Sequence, residues 1–303
     1  MRIGAMIDVD RPLPQVVEEV RGFAEDGLAS AWGVQIFAYD ALTLLAVVGA
    51  QVPGIELGTG VVPVHSRHPQ VMAQQALTVQ AATGGRLTLG VGLSHKVVVE
   101  GLWGMSYDRP ARYLREYLEA LVPMLAGSAV DAHGEVVTAV TPAPLEVPDA
   151  PPPPVLVAAL GPVMLGLAGR LTDGTITWMT GVSTVGSHVV PTITEAATAA
   201  GRPRPRVAVS LPVTVTADVE QAKADVDQTY ALYATLPSYQ AMLQREGAKV
   251  PSDVAILGDE ASVRADLRRL ADAGATDFLA APSGSPEDRR RTLELLSAMA
   301  REG

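Results

Sequence analysis

Residues 154–179 read "PVLVAALGPVMLGLAGRLTDGTITWM". The stretch opens on an apolar, β-prone run, 154–160, and turns at Gly161-Pro162. Met164, Leu165, Leu167 and Ala168 then recur at helical spacing, and Gly174 separates them from a second β-prone run, 175–179. No ionised side chain occurs before Arg170. The first run is apolar throughout, as in a parallel strand covered on both faces. A strand, a helix and a second strand in this order predict a right-handed crossover within a parallel sheet.

The same unit recurs outward from this stretch in both directions. Further candidate strands are 2–8, 31–37, 55–62, 87–93, 206–215 and 276–282, making eight in all. Val16, Val17, Val20, Phe23, Ala24 and Leu28 form one helical stripe, and Val263, Leu267, Leu270 and Ala271 form another. Glycines such as Gly27, Gly84, Gly201 and Gly274 stand where those helices stop. Eight units predict an α/β fold, a closed (β/α)8 TIM barrel, with an open doubly wound sheet as the competing architecture. One domain over 1–303 is expected, with rim insertions at about 95–153 and 216–257, after the fourth and seventh strands. The first insertion carries Leu114, Leu118, Leu121 and Leu125 on one helical face behind Pro110, then a Pro-rich lead-in. The second carries helical patterns near 218–235 and in "LPSYQAMLQREG". Rim insertions in barrels usually surround the active site, the alternative being that they merely extend the scaffold.

Composition narrows the function. The chain has 303 residues and no cysteine, which rules out disulfides, thiolate metal sites and a Cys nucleophile. Its formal charge of −10 opposes a nucleic-acid partner. The start "MRIGAMIDVD" lacks a signal-peptide pattern, and no apolar run reaches the ~18 residues of a membrane span. A cytoplasmic protein without a membrane partner is expected. The Rossmann, P-loop, zincin and nucleophile-elbow motifs are all missing, and His65-x-x-His68, with Arg67 between, makes a poor metal pair. No metal site is expected.

Barrel chemistry sits where strands end, so those ends supply the candidates. Gln35 is a polar residue near the end of the apolar second strand, with an amide able to bond a ring carbonyl or to serve as a core amide. Tyr39 follows on the loop. Thr59 between Gly58 and Gly60 suits either a bulge or the close approach of a flat ligand. After the fourth strand, Gly92, Leu93 and Ser94 lead to His95, the best acid/base candidate, although a structural His fits too. The turn Ala158–Ala159–Leu160–Gly161–Pro162 is either a plain tight turn or an anion site of backbone amides at a helix start. Trp178 and Met179 end the sixth strand as pocket or core residues.

The segments "GTGVVPVHSRHPQVMAQQALTVQAATGGRLTLGVGLSH", "SYDRPARYLREYLEAL" and "AALGPVMLGLAGRLTDGTITWMTG" together resemble the luciferase-like monooxygenase superfamily, in particular its coenzyme F420-dependent oxidoreductase branch. The resemblance implies a TIM barrel that binds a deazaflavin or flavin at its C-terminal mouth. It places a bulge, often with a non-prolyl cis peptide, at Thr59, Gly60 and Val61 behind the ring. It puts Gly92 to His95 beside the ring and Ala158 to Pro162 at the phosphate end. It implies hydride transfer between F420 and a small C=C, C=N or C=O substrate, and a homodimer. An FMN-dependent monooxygenase fed by a separate reductase is the alternative, and a non-catalytic flavin-binding protein is a third. The sequence departs from the branch's sugar-phosphate dehydrogenase. Gln35-Ile36 stand where that relative has Asp-His, and His95 stands where it has Glu. Arg67, His68, Lys96, Arg109 and Arg112 are expected to give a basic rim for the cofactor tail, unless they are ordinary surface charges.

Overall fold

The alternation of apolar runs and helical stripes resolves, in a computed structural model that describes residues 1–302, into a closed ring of parallel strands. In chain order the strands are β1 (Arg2–Met6), β2 (Ser30–Gly33), β3 (Glu56–Thr59), β4 (Val62–Pro63), β5 (Leu87–Gly92), β6 (Asp131–His133), β7 (Thr138–Val140), β8 (Val155–Ala158), β9 (Gly174–Trp178), β10 (Arg206–Val215), β11 (Ile256–Gly258) and β12 (Asp277–Pro282). The ring runs β1–β2–β3–β5–β8–β9–β10–β12 and closes on β1, where Ala5 pairs with Ala280. This is the eight-stranded barrel that the recurring strand and helix units predict. β11 extends the edge of β10, and β6 and β7 form a separate antiparallel hairpin.

Two layers of apolar side chains hold the ring. Inside it, Trp32, Leu156, Ile176, Ala208 and Leu279 form a buried plug. Gly58 makes room for the plug, because a Cβ there would run into the Trp32 ring. The Trp32 indole N–H donates to Ser30 Oγ at 2.8 Å, so this large ring is buried without an orphaned donor. Outside the ring, the helical stripes pack against the strands. Val16, Val17, Val20 and Phe23 are buried from helix Leu13–Glu25, as are Val263, Leu267 and Leu270 from Glu260–Asp272. Ala271 of the second predicted stripe is only partly buried.

At the amino-terminal end of the barrel, Arg206 binds Asp277 Oδ1 at 2.7 Å and Glu56 Oε1 at 3.1 Å. These three residues begin β10, β12 and β3, so one guanidinium ties three strand starts together.

The predicted second strand is too long. It ends at Gly33 rather than Phe37, and Ile36 and Phe37 are 59% and 83% exposed. Its neighbour accounts for this. The last β2–β3 pair is Gly33 with Thr59, after which the Gly60-Val61 peptide is cis and the chain resumes on β5 as β4.

The segment between β5 and β8 contains helix Lys96–Gly101, helix Pro110–Leu125 and the β6–β7 hairpin. Leu114, Leu118, Leu121 and Leu125 are all buried, as their spacing predicts. The segment between β10 and β12 contains helices Val219–Thr229 and Pro237–Glu246. The Glu246 carboxylate accepts the N–H groups of Ser183 and Thr184 at 3.0 and 2.7 Å, fastening that segment to the loop after β9.

Candidate active site

Side chains alternate along a strand, so the barrel plug fixes which residues face inward at the mouth. Ile176 belongs to the plug, and Trp178, two residues on, faces the same way at the carboxyl end of β9. Met6 and Val61 pack on top of the plug. The neighbouring inward positions have almost no side chain. A Cβ at Gly92 would lie 2.8 Å from Val61 Cγ2 and 3.2 Å from the Ala158 Cβ. Val61, Gly92 and Ala158 therefore make a flat floor on the β3–β5–β8 side. Ala158 is exposed although it points inward, so the mouth is open above it.

Thr59 supports this floor from beneath. Its buried hydroxyl donates to the Gly90 carbonyl at 2.7 Å and accepts the Gly90 N–H at 2.8 Å. The predicted bulge is present, with the cis bond between Gly60 and Val61, but the Thr59 hydroxyl is fully used within the protein.

The turn after β8 borders the open side. Ala159 is buried and Leu160 half-buried, while Gly161 is extended at φ −80 and ψ 159. Pro162 begins helix Pro162–Leu171. A Cβ at Gly161 would meet no protein atom within 4 Å. Behind Pro162, which has no N–H, the N–H groups of Val163 and Met164 lie in the first turn without an intrahelical acceptor. His188 fixes the turn from behind. It is buried within the π-helical turn Val185–Val189, with Nε2 2.8 Å from the Leu160 carbonyl.

A row of aromatic rings arches over the same side. Ser94 takes a left-handed φ of 59° and turns the chain after β5. His95 follows, with its ring centroid 5.7 Å from that of Tyr239. Tyr239 meets Tyr233 at 5.1 Å, Tyr233 meets Tyr230 at 6.1 Å, and Tyr230 meets Trp178 edge-on at 5.2 Å. His95 follows β5 and Trp178 ends β9, and β8 lies between those strands. The arc therefore spans the end of β8. Burial lowers the His95 pKa below its ordinary value, so the imidazole is neutral near pH 7. Burial raises Tyr230, Tyr233 and Tyr239, which stay protonated. The Trp178 Nε1 is buried without a hydrogen-bond partner.

Several predicted contacts fall elsewhere. Gln35 is not in a strand. Its amide lies between Asp40 and Arg67, accepting from Arg67 at 3.0 Å in the orientation that satisfies both neighbours. Tyr39 is half-buried and donates to the Arg11 carbonyl at 3.1 Å. Met179 is buried in the outer core with a left-handed φ of 51°. Leu93 is buried in the same core. The expected basic rim is committed to partners. Arg67 pairs with Asp40, Arg109 and Arg112 with Glu135, and Lys96 with Glu100. His68 accepts the Gln70 N–H and contacts the Thr138 carbonyl at 2.8 Å. His65 stacks on Tyr113 at 4.4 Å.

The three tyrosines of the arc and His188 escape sequence reading. One signal exists. The chain has only seven tyrosines, and three of them fall within ten residues at 230–239.

Compared with known proteins, residues 1–299 match the family model described as luciferase-like monooxygenase. The chain belongs to that family. It is 34% identical over 169 residues to an F420-dependent glucose-6-phosphate dehydrogenase of Nocardia farcinica, covering 54% of this chain and 50% of that one. The chain thus spans about half the length of the curated F420-dependent relatives it matches. The coenzyme F420-dependent tetrahydromethanopterin reductase of Methanopyrus kandleri superposes with a TM-score of 0.82 at 22% identity, covering 98% of this chain and 97% of the other. An FMN complex of the oxygenating constituent of 3,6-diketocamphane monooxygenase from Pseudomonas putida superposes at 0.76 with 17% identity, covering 98% and 96%. These two likenesses are of fold. Among the described residues, no helix is long and apolar enough to cross a membrane, and no group of three His, Asp or Glu is placed to hold a metal ion.

Proposed function

We propose that this chain is a deazaflavin-dependent oxidoreductase that holds coenzyme F420 across the β3–β5–β8 side of the mouth. The observation that carries the reading is a bare turn beside a bare floor. Gly161 has an ordinary φ, and a Cβ there would meet nothing, so the protein's own packing does not demand glycine. A phosphate brought against the turn does demand it. Val61, Gly92 and Ala158 offer a surface on which a flat ring can lie. The amides of Val163 and Met164 suit the anionic end. The F420-dependent relative favours a deazaflavin over FMN.

Reduced deazaflavin supplies a hydride when bound. The chain's own residues orient the substrate, exclude water and handle the proton. Reduction of C=C, C=N or C=O places the hydride on carbon and a proton on the other atom, and oxidation of an alcohol or amine releases both. His95 is the group to carry that proton. With its pKa lowered by burial, neutral His95 accepts a proton in the oxidative direction near pH 7. Donation needs the imidazolium and strengthens at acid pH.

The test is a titration of purified protein with F420 and with FMN, followed by fluorescence. Tight F420 binding without FMN binding is the expected result. Preference for FMN would overturn the reading and direct attention to oxygen uptake with a reductase. Binding of neither would leave the family assignment without a cofactor function.

A further inference from the structure

The walls of the mouth define what fits beside the floor. Four aromatic residues and His95 make the arc, and none of the five carries a charge at neutral pH. Burial keeps the three phenols protonated. Arg289, whose charge acts on Tyr230, is held by Asp8 at 3.6 Å and by the Gly284 carbonyl at 3.3 Å. Arg67, which would otherwise serve an acidic substrate from the β2 side, is held by Asp40. The apolar character continues outward through side chains on the loops that follow the strand ends. Leu232, between two tyrosines of the arc, is 65% exposed, and Val97, two residues after His95, is 59% exposed.

A buried anion without a partner is costly, and an apolar wall cannot repay its lost hydration. Aromatic walls instead favour flat rings, which pack edge-on or offset against them.

We infer that the arc of Trp178, Tyr230, Tyr233, Tyr239 and His95 selects an uncharged cyclic or aromatic substrate, and rejects phosphorylated or carboxylated molecules. This inference rests on the reading of the mouth as an oxidoreductase site, and it names the substrate side of that site.

The experiment uses one ring system with and without a charge. The purified protein is titrated calorimetrically with menadione and with menadione sulfonate, each in the absence and presence of coenzyme F420. Menadione is expected to bind at least tenfold more tightly than its sulfonate. Tyr233→Ala should weaken menadione about tenfold and leave F420 affinity unchanged, and Tyr233→Phe should restore binding. Equal binding of the two probes, tighter binding of the sulfonate, or binding of neither would overturn the inference. So would Tyr233→Ala with undiminished menadione affinity. Loss of F420 binding with the menadione preference intact would refute the cofactor reading alone. Loss of the preference with F420 binding intact would refute this inference alone.

Discussion

Thr59 and Gly90 exchange two hydrogen bonds through a single hydroxyl, with Thr59 Oγ1 donating to the Gly90 carbonyl at 2.7 Å and accepting the Gly90 N–H at 2.8 Å. Regular pairing of β3 with β5 ends at Gly58 and Thr88, so this hydroxyl replaces the ladder where β3 bends away. Thr59→Val keeps the shape and removes both bonds, leaving two buried backbone groups unpaired. The expected loss is about 3 kcal/mol of stability, read from the shift of the urea midpoint. Gly90→Ala should be worse, because the added Cβ runs into the Thr59 carbonyl oxygen. Failure of Gly90→Ala to accumulate as soluble protein is the expected outcome.

Gly161→Ala separates the demands of the fold from those of a ligand. The backbone there is ordinary and the space is open, so stability should change by less than about 0.5 kcal/mol. F420 affinity should fall by about tenfold or more. An unchanged dissociation constant would show that the phosphate end does not rest on this turn.

His95→Asn should lower turnover by roughly 100-fold while changing the F420 dissociation constant less than about threefold. The pH profile carries a sign. Because burial lowers the His95 pKa from its ordinary value of 6.5, oxidative turnover should rise with pH through a midpoint below 6.5. Reductive turnover should fall through the same midpoint. A profile that is unaltered in His95→Asn would remove this residue from the proton path.

Arg206→Met removes the guanidinium that joins three strand starts and leaves the buried Asp277 carboxylate without its main partner. Thr276 and Arg2 still contact that carboxylate, at 2.6 and 3.4 Å, which tempers the loss. A destabilisation of about 3 kcal/mol is expected in urea, with F420 affinity unaltered because the mouth lies at the other end of the barrel.

The five candidates for a tail-binding rim are already engaged within the chain. Raising sodium chloride from about 50 to 500 mM should therefore weaken F420 by no more than about threefold, since few free charges remain to be screened. A steep salt dependence in an affinity titration would show that those pairs open on binding.

Much of this arrangement is legible in the chain itself. Parallel strands covered on both faces must be apolar throughout, which is why 87–93 and 206–215 stand out, and helix stripes such as Val16 to Phe23 follow from the need to bury one face. The bare turn at Gly161 is visible because glycine and proline restrict the backbone directly. Gln35 misleads for a physical reason. "GVQIF" is apolar enough for a strand, yet a strand also needs a partner, and β3 turns away after Thr59. The hydroxyl of Thr59 and the carboxylate partners of Arg67, Arg109 and Arg112 depend on contacts between distant parts of the chain, which no local pattern encodes. The arc fails the same way. Tyr230, Tyr233 and Tyr239 sit in ordinary helical and turn patterns, and only folding brings them over β8.

Three of the five rings over the mouth come from the single stretch between β10 and β12, whereas the floor is shared among the β3–β4 connection, β5 and β8. The two surfaces can therefore diverge separately. Replacement of a few residues in 230–239 would change the shape and polarity offered to an incoming molecule without shifting the register of any barrel strand. A lineage of such barrels can acquire new chemistries by rewriting one short cassette. The same cassette is the place to begin in redesigning this protein.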